Sequence, residues 1–590
     1  MRFGLGLLSL TLGVLLMSPC LAAGRCPTVA TLCLLDGERY QNQAYVLEAL
    51  AQVPPGADLV VMPHLPFLSF SRGHATRSLQ PFADFARQRQ TYLALALTER
   101  DGDRTYATAV LLDRQGKVVG RYRQTHVPAD EALPLTAGDS LPVFDTDFGR
   151  LGLTVGADFY FPEPYQVLAL KGADLVTWHH FPERLRDYSM WEPLLMARAL
   201  DGHQHLVVAT YADPRTYITH QWESGMPGAA WGRSQILNRV GCPVADTGYE
   251  AGVAVARLDF DRRKVNAYEP YYQGENIFFV NNFGDRTAFA PVAAPYVPPV
   301  LPAYAKRTCR LAVGWLPRTD IWQKGKVPER MLALIRQAKA LRPDVLLLSE
   351  MAANVEDEVT RQTFPQVAAL AKELNCYLAI GGVGDAEQGS ILRVWDRGGR
   401  EIYQQPLYWP KGFPEIKVFD TDFGRVGSHQ CGDLYLPEFD RTLALLGAEI
   451  IIDASQMWGA SGRTNETLLR ARAIDNGVWL ACAHWPSSDP SLRSLILDPY
   501  GQIMASSTHQ PEGLMFQDID LSRPWIYYAG HKANQVPRGE TGIPSYYTGD
   551  LPDMREGWRE WMFAARRTEL YGLLPQVNEV TKTWRGTQAP

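Results

Sequence analysis

The sequence has no surplus of basic charge. Its 58 Lys and Arg face 64 Asp and Glu, a net −6, so its electrostatics give no reason to expect nucleic acid as a partner. It is sparing with cysteine, holding eight in 590 residues, and shows no CxxC pair and no Cys/His cluster of zinc spacing. HExxH is absent as well, and His179, His180, His203, His205, His429 and His484 are scattered. His203 and His205, two apart, would not share a helix face. These are read as hydrogen-bonded histidines, with neither a metal nor a cofactor expected. The 46% apolar and 21% charged content excludes wholesale disorder. The 41 Pro and 15 Trp point to rigid, aromatic-lined loops.

Long apolar runs are missing too, apart from one at the start. Residues 1–24 read MRFGLGLLSLTLGVLLMSPCLAAG: Arg2, an uncharged apolar stretch, then Ala22, Ala23 and Gly24. That order predicts a secretory signal peptide. An uncleaved anchor is the rival, but the run falls short of the ~20 residues that cross a bilayer. A lipid anchor on Cys20 is disfavoured by Pro19. The expected location is periplasmic or secreted, with no membrane contact after signal removal. Seven cysteines then remain, so at least one is free or paired between chains. Cys33 and Cys482 lie in apolar, strand-like runs and read as buried thiols.

What the chain does have is a repeat. VFDTDFGR occurs at 143–150 and again at 418–425, an offset of 275 (418 − 143). Asp158 matches Asp433, Pro162-Glu163 matches Pro437-Glu438, and the Ala-Arg-Ala of 197–199 returns at 471–473. This period is far beyond a solenoid unit and marks a duplicated domain. Strand-like and helical patterns alternate in each copy. In the first, strands are expected at 28–35, 58–62, 92–98 and 107–113, with helices at 43–52 and 82–90. In the second, strands are expected at 309–315, 345–348, 376–382 and 391–396, with helices at 329–341 and 364–374. Alternation of this kind predicts layered α/β architecture. The Pro/Ala-rich stretch 291–305 breaks both patterns and reads as a linker. The expected organisation is a signal peptide (1–24), a first domain (25–290), the linker (291–305), a second domain (306–521) and an aromatic extension (522–590). A helix is expected near 554–573.

Chemistry concentrates in RVGSHQCGDLYLPE, 425–438, where an apolar strand runs into Cys431, Gly432 and Asp433. A Cys at a strand end on a sharp turn is how a nucleophile is presented above a sheet. This segment resembles the nucleophile motif of the nitrilase, or carbon–nitrogen hydrolase, superfamily, which Cys431, Asp433, Leu436, Pro437 and Glu438 match. LLLSE at 346–350 looks like the strand delivering its general base, and GAEIII (447–452), RARAIDN (470–476) and LILDPYGQI (495–503) look like further landmarks. The resemblance implies two tandem αββα sandwich domains, α/β in class, packed as an intrachain pseudo-dimer. A homo-oligomer stays open. It also implies a small-molecule amide or nitrile substrate.

The family chemistry needs a Glu to take the thiol proton, a Cys to attack carbon and a Lys to face the growing oxyanion. Glu350 and Cys431 fit the first two. In the segment Tyr403-Gln404-Gln405-Pro406-Leu407, Gln405 is placed at the Lys position, in a weakened oxyanion role. Lys411 is a possible substitute, and Glu415 is the nearest candidate for a second Glu. His429, two before Cys431, would share its side of a strand. The first copy has lost all three groups: His64 stands for Glu, Gln124 for Lys and Gly156 for Cys. The implied function is an exported amidase-like hydrolase working through a cysteine thioester in the C-terminal domain. Two alternatives stand beside it: a catalytically dead binding or scaffold protein, and a thioester-based N-acyltransferase. The tail aromatics from Trp525 to Trp561 could roof a pocket or lie over the partner domain.

Overall fold

A computed structural model describes residues 25–35, 43–71, 75–127, 135–180, 188–212, 232–261, 286–316, 327–350, 362–382, 390–407, 415–456, 462–485, 492–508, 510–522 and 558–576. The expected signal peptide at 1–24, Lys411 and most tail aromatics lie outside them.

Each half is two sheets face to face with helices outside. In the first half, one sheet holds β1 (Thr28–Leu35), β2 (Leu59–Ser71), β3 (Tyr92–Asp101), β4 (Arg104–Leu112) and β5 (Val118–Arg123). The other sheet holds β6 (Val143–Asp145), β7 (Arg150–Val155), β8 (Leu175–His179) and β9 (His205–Ala209). β10 (Tyr211–Ala212) and β13 (Gly252–Arg257) join the first sheet through β1, while β11 (Gln235–Leu237) and β12 (Pro243–Asp246) extend the second. The second half repeats this. β14 (Thr308–Trp315), β15 (Val345–Leu348), β16 (Tyr377–Ile380), β17 (Ile391–Trp395) and β18 (Glu401–Pro406) form one sheet, closed at its far edge by β25 (Gly513–Asp520). β19 (Val418–Asp420), β20 (Arg425–Gln430), β21 (Ile450–Ser455), β22 (Trp479–His484), β23 (Leu495–Leu497) and β24 (Ile503–Ser506) form the other.

The repeated octapeptide has a structural cause. In both copies it builds the same hairpin, β6–β7 and β19–β20. Thr146 Oγ1 donates to the Gly149 carbonyl at 2.6 Å and accepts the Gly149 N–H at 3.0 Å; Thr421 does both to Gly424 at the same distances. Phe148 and Phe423 then pack edge-on against Tyr92 and Tyr377. Eight identical residues thus preserve one turn and its anchor into the sheet–sheet core.

Helices α1 (Gln43–Ala51) and α2 (Ala75–Arg89) cover the outside of the first half, and α3 (Pro162–Leu170) and α4 (Tyr188–Gly202) its inner side. In the second half, α5 (Val327–Gln337) and α6 (Phe364–Leu374) lie outside, while α7 (Pro437–Leu445) and α8 (Gly462–Asn476) lie inside. The inner helices of the two halves pack on each other, and one buried core runs through both, from Leu168 and Leu194 to Leu443 and Leu468. Two ion pairs cross this junction reciprocally. Arg198 holds Asp475 at 2.7 Å, and Arg472 holds Asp201 at 2.8 Å, all four side chains buried. The two pairs are equivalent under the repeat, so the junction has pseudo-twofold symmetry. This is the expected intrachain pseudo-dimer. Near the C-terminus, α9 (Trp558–Ala564) and the turn after it span both halves. Arg559 donates to the Ala444 carbonyl at 2.6 Å, Arg566 pairs with Glu163 at 3.2 Å, and His126 meets Tyr571.

Candidate active site

β20 delivers Cys431. The strand ends at Gln430, and Cys431 turns out of it with φ 45°, a left-handed conformation rare for a side chain beyond glycine. It opens the 3₁₀ turn Cys431–Tyr435 and is partly exposed. Asp433 locks the elbow by accepting the Gln430 N–H at 3.2 Å. Pro437, at the first position of α7, restarts the chain as helix.

Glu350 follows β15, the neighbour of β14 and β16 in the facing sheet. It is 2% exposed; its Oε1 accepts from the Ser390 hydroxyl at 3.2 Å, and the Cys431 thiol and Gln456 lie close enough to act on its carboxyl. Burial pushes it up to about 7, and the Asp453 charge adds to the rise against the neighbouring polar groups. A buried carboxylate touching a partly exposed thiol, with an affinity for protons near neutrality, can accept and return a proton. The structure thus brings Glu350 and Cys431 together from two sheets.

The Gln405 side chain is hydrogen-bonded to neither of them. The Gln405 amide oxygen accepts the Lys417 N–H at 3.0 Å, and its nitrogen donates to the Pro406 carbonyl at 3.3 Å. The strand register also corrects its assignment. In the first half, the Gln124 N–H donates to the Ala107 carbonyl; in the second, the Leu407 N–H donates to the Ser390 carbonyl. Ala109 pairs with Tyr122 as Leu392 pairs with Gln405. Leu407, not Gln405, therefore occupies the place of Gln124. Tyr403 misleads: it sits where the first half has Gly120, packing on Phe419 where Gly120 meets Phe144. Leu407 brings neither charge nor a side-chain proton. Glu415 is a surface residue paired with Lys417 at 3.2 Å.

Below the elbow, His429 is buried between carboxylates, Nδ1 2.6 Å from Asp440 and Nε2 3.5 Å from Asp453. Burial opposes its charge, but the two carboxylates outweigh that and hold it well above the ordinary histidine range. Its partners lie on α7 and β21, so it serves the helix-facing layer. Cys482 is buried, as expected, but not featureless: burial and the nearby Asp453 carboxylate push its thiol well up. All seven described cysteines are unbridged.

A family model described as carbon–nitrogen hydrolase matches residues 36–266 and 310–525, more than half of the chain. The chain belongs to the carbon–nitrogen hydrolase family. It is 27% identical over 255 residues to the chloroplastic omega-amidase of Arabidopsis thaliana, covering 39% of this chain and 67% of that protein. It is 28% identical over 265 residues to the deaminated glutathione amidase of Homo sapiens, covering 42% and 78%. Among solved structures, a carbon–nitrogen hydrolase from Helicobacter pylori G27 aligns at 21% identity and TM-score 0.35, over 43% of this chain and 97% of that one. An amidase from Nesterenkonia sp. aligns at 21% identity and TM-score 0.33, over 43% and 97%.

Within this member of the carbon–nitrogen hydrolase family the first half keeps the frame without the thiol and the carboxylate. Gly156 holds the elbow at φ 50°, and Asp158 accepts the Val155 N–H at 3.0 Å, as Asp433 does for Gln430. Gly156 has no side chain to react. Trp178 stands in register where the second half has Asp453. Its indole donates to the Gly156 carbonyl at 2.9 Å and stacks on Phe159 with centroids 4.6 Å apart. His64 occupies the Glu350 position, buried and lowered to about 3 by that burial.

Proposed function

We propose that the second half is a cysteine-dependent amidase acting on small amides. Contact between the Glu350 carboxyl and the Cys431 thiol carries this proposal. Glu350 takes the thiol proton as sulfur attacks the carbonyl carbon. The C–N bond then breaks, the amine leaves with the proton returned by Glu350, and a thioester remains on Cys431. Water adds to the thioester, its proton passing through Glu350 to the sulfur, and the acid departs. The first half is the non-catalytic partner that the inner helices need. The leader at 1–24 exports the chain, with fractionation of the tagged full-length protein as the check.

Leu407 supports a second reading, a binding protein without turnover, because removing an oxyanion donor alone costs about 10²–10³ in rate. Two measurements on the mature protein separate the readings. Iodoacetamide labelling mapped by mass spectrometry should modify Cys431 fastest, and Glu350→Gln should slow it. Ammonia release from a panel of small primary amides should disappear in Cys431→Ser. Fast labelling without turnover of any amide would favour the binding protein. Labelling of Cys431 no faster than that of a small free thiol would end the amidase proposal.

A further inference from the structure

The Ser390 hydroxyl stands between two acceptors. Its Oγ is 3.2 Å from Glu350 Oε1 and 3.1 Å from Gln430 Oε1. The orientation of the Gln430 amide is fixed by its neighbours. The Gly382 N–H, which can only donate, points at Oε1 at 3.1 Å, and the Gln405 carbonyl, which can only accept, takes Nε2 at 3.0 Å. Both atoms facing Ser390 are therefore acceptors, and a hydroxyl has one proton to give. An ionised Glu350 draws that proton, since a hydrogen bond to a charged oxygen is about twice as strong as a neutral one. Once Glu350 is protonated, the Gln430 amide oxygen is the better acceptor.

We propose that Ser390 is a positioning residue whose single proton alternates between Glu350 and Gln430, favouring the ionised base before proton transfer and releasing it afterwards. This rests on the proposed role of Glu350 as base. The first half lacks every member of the set: its counterparts are Ala107, His64 and Val155. The three polar groups thus occur only in the half that carries the thiol. Gln430 is bonded in sequence to Cys431, so the alternation ties the state of the base to the strand end that aims the sulfur. Among the described residues, the other titratable groups bearing on Glu350 are the Cys431 thiol on the elbow and Asp453 on β21, the latter backed by His429 on β20 and Cys482 on β22.

The test is the rate of iodoacetamide labelling at Cys431 against pH, from 5 to 9, in the full chain. Ser390→Ala should move the midpoint of the profile upward by about one pH unit, because the ionised carboxylate loses a donor. Ser390→Thr, which keeps the hydroxyl, should restore it. Gln430→Met, which removes the competing acceptor, should move it downward. A purely structural role would lower the plateau and leave the midpoint in place. If Glu350→Gln abolishes the pH step while Ser390→Ala leaves the midpoint unmoved, the Ser390 proposal fails and the base stands. If Glu350→Gln leaves the step intact, the base assignment itself fails.

Discussion

Glu350→Gln should make the second half more stable above neutrality even as it disables the base. The carboxyl is buried and titrates at about 7 in the fold, against an ordinary 4.5. A folded value raised this way favours folding while the group is protonated in both states, below pH 4.5. That advantage is lost as pH climbs through the interval to 7. The span from 4.5 to about 7, at about 1.4 kcal/mol per pH unit, amounts to about 3 kcal/mol charged against the fold at pH 8. Glutamine carries no charge and escapes it. Urea unfolding of wild type and variant, followed from pH 4 to 8, should give curves that agree near pH 4 and diverge by about 3 kcal/mol at pH 8, with the variant more stable. A pH-independent difference, or a wild type that gains on the variant with rising pH, would refute the burial of an ionisable base.

Asp475→Asn strands the buried Arg198 guanidinium, whose next carboxylate, Asp201, is 4.0 Å away, and should cost about 3–5 kcal/mol in chemical denaturation. Asp84→Asn, which breaks the exposed pair with Arg87, should cost less than about 1 kcal/mol in the same assay. Leu407→Lys returns a cation to the empty position, and under the amidase proposal it should raise amide turnover on the order of 10²-fold; unchanged turnover in a folded, labelled variant would count against that position facing the oxyanion. Trp178→Ala should cost about 3–5 kcal/mol in thermal or urea unfolding by opening a cavity in the first half, while Cys431 labelling keeps its rate.

Much of the fold was written locally. Strands 345–348 and helix 364–374 appear where their apolar patterns put them, as Val345–Leu348 and Phe364–Leu374. The duplication was legible because the same turn needs the same Thr, Phe and Gly in each copy. Glu350 and Cys431 could be picked out because each ends an apolar strand. Position along a hairpin was harder. Tyr403 imitated Tyr122 in composition while standing two residues earlier in register, and that slip placed Gln405 where Leu407 belongs. Ser390, Gln430 and Gln456 carry no motif. They meet Glu350, or one another, only because three separate strand ends converge, and pairing across sheets leaves no mark on neighbours in sequence. Counting from the shared Asp-Gly turns at 113–116 and 396–399 would have exposed the hairpin register.

The reciprocal Arg–Asp pairs have a consequence for how this molecule can vary. In an assembly of identical subunits, any change on the contact face is made twice, and both faces must tolerate it. Here each face is encoded by its own stretch of gene. Dilution cannot part them, because the tether keeps their effective concentration high. The two halves can therefore differ where the repeat equates them: Tyr571 reaches His126 in the first half, while Thr154 and His429 occupy the same register position, each with different partners inside its own half. Held within one chain, a symmetric contact becomes two independently adjustable ones, so one sandwich can do without the thiol and carboxylate while still packing against the other.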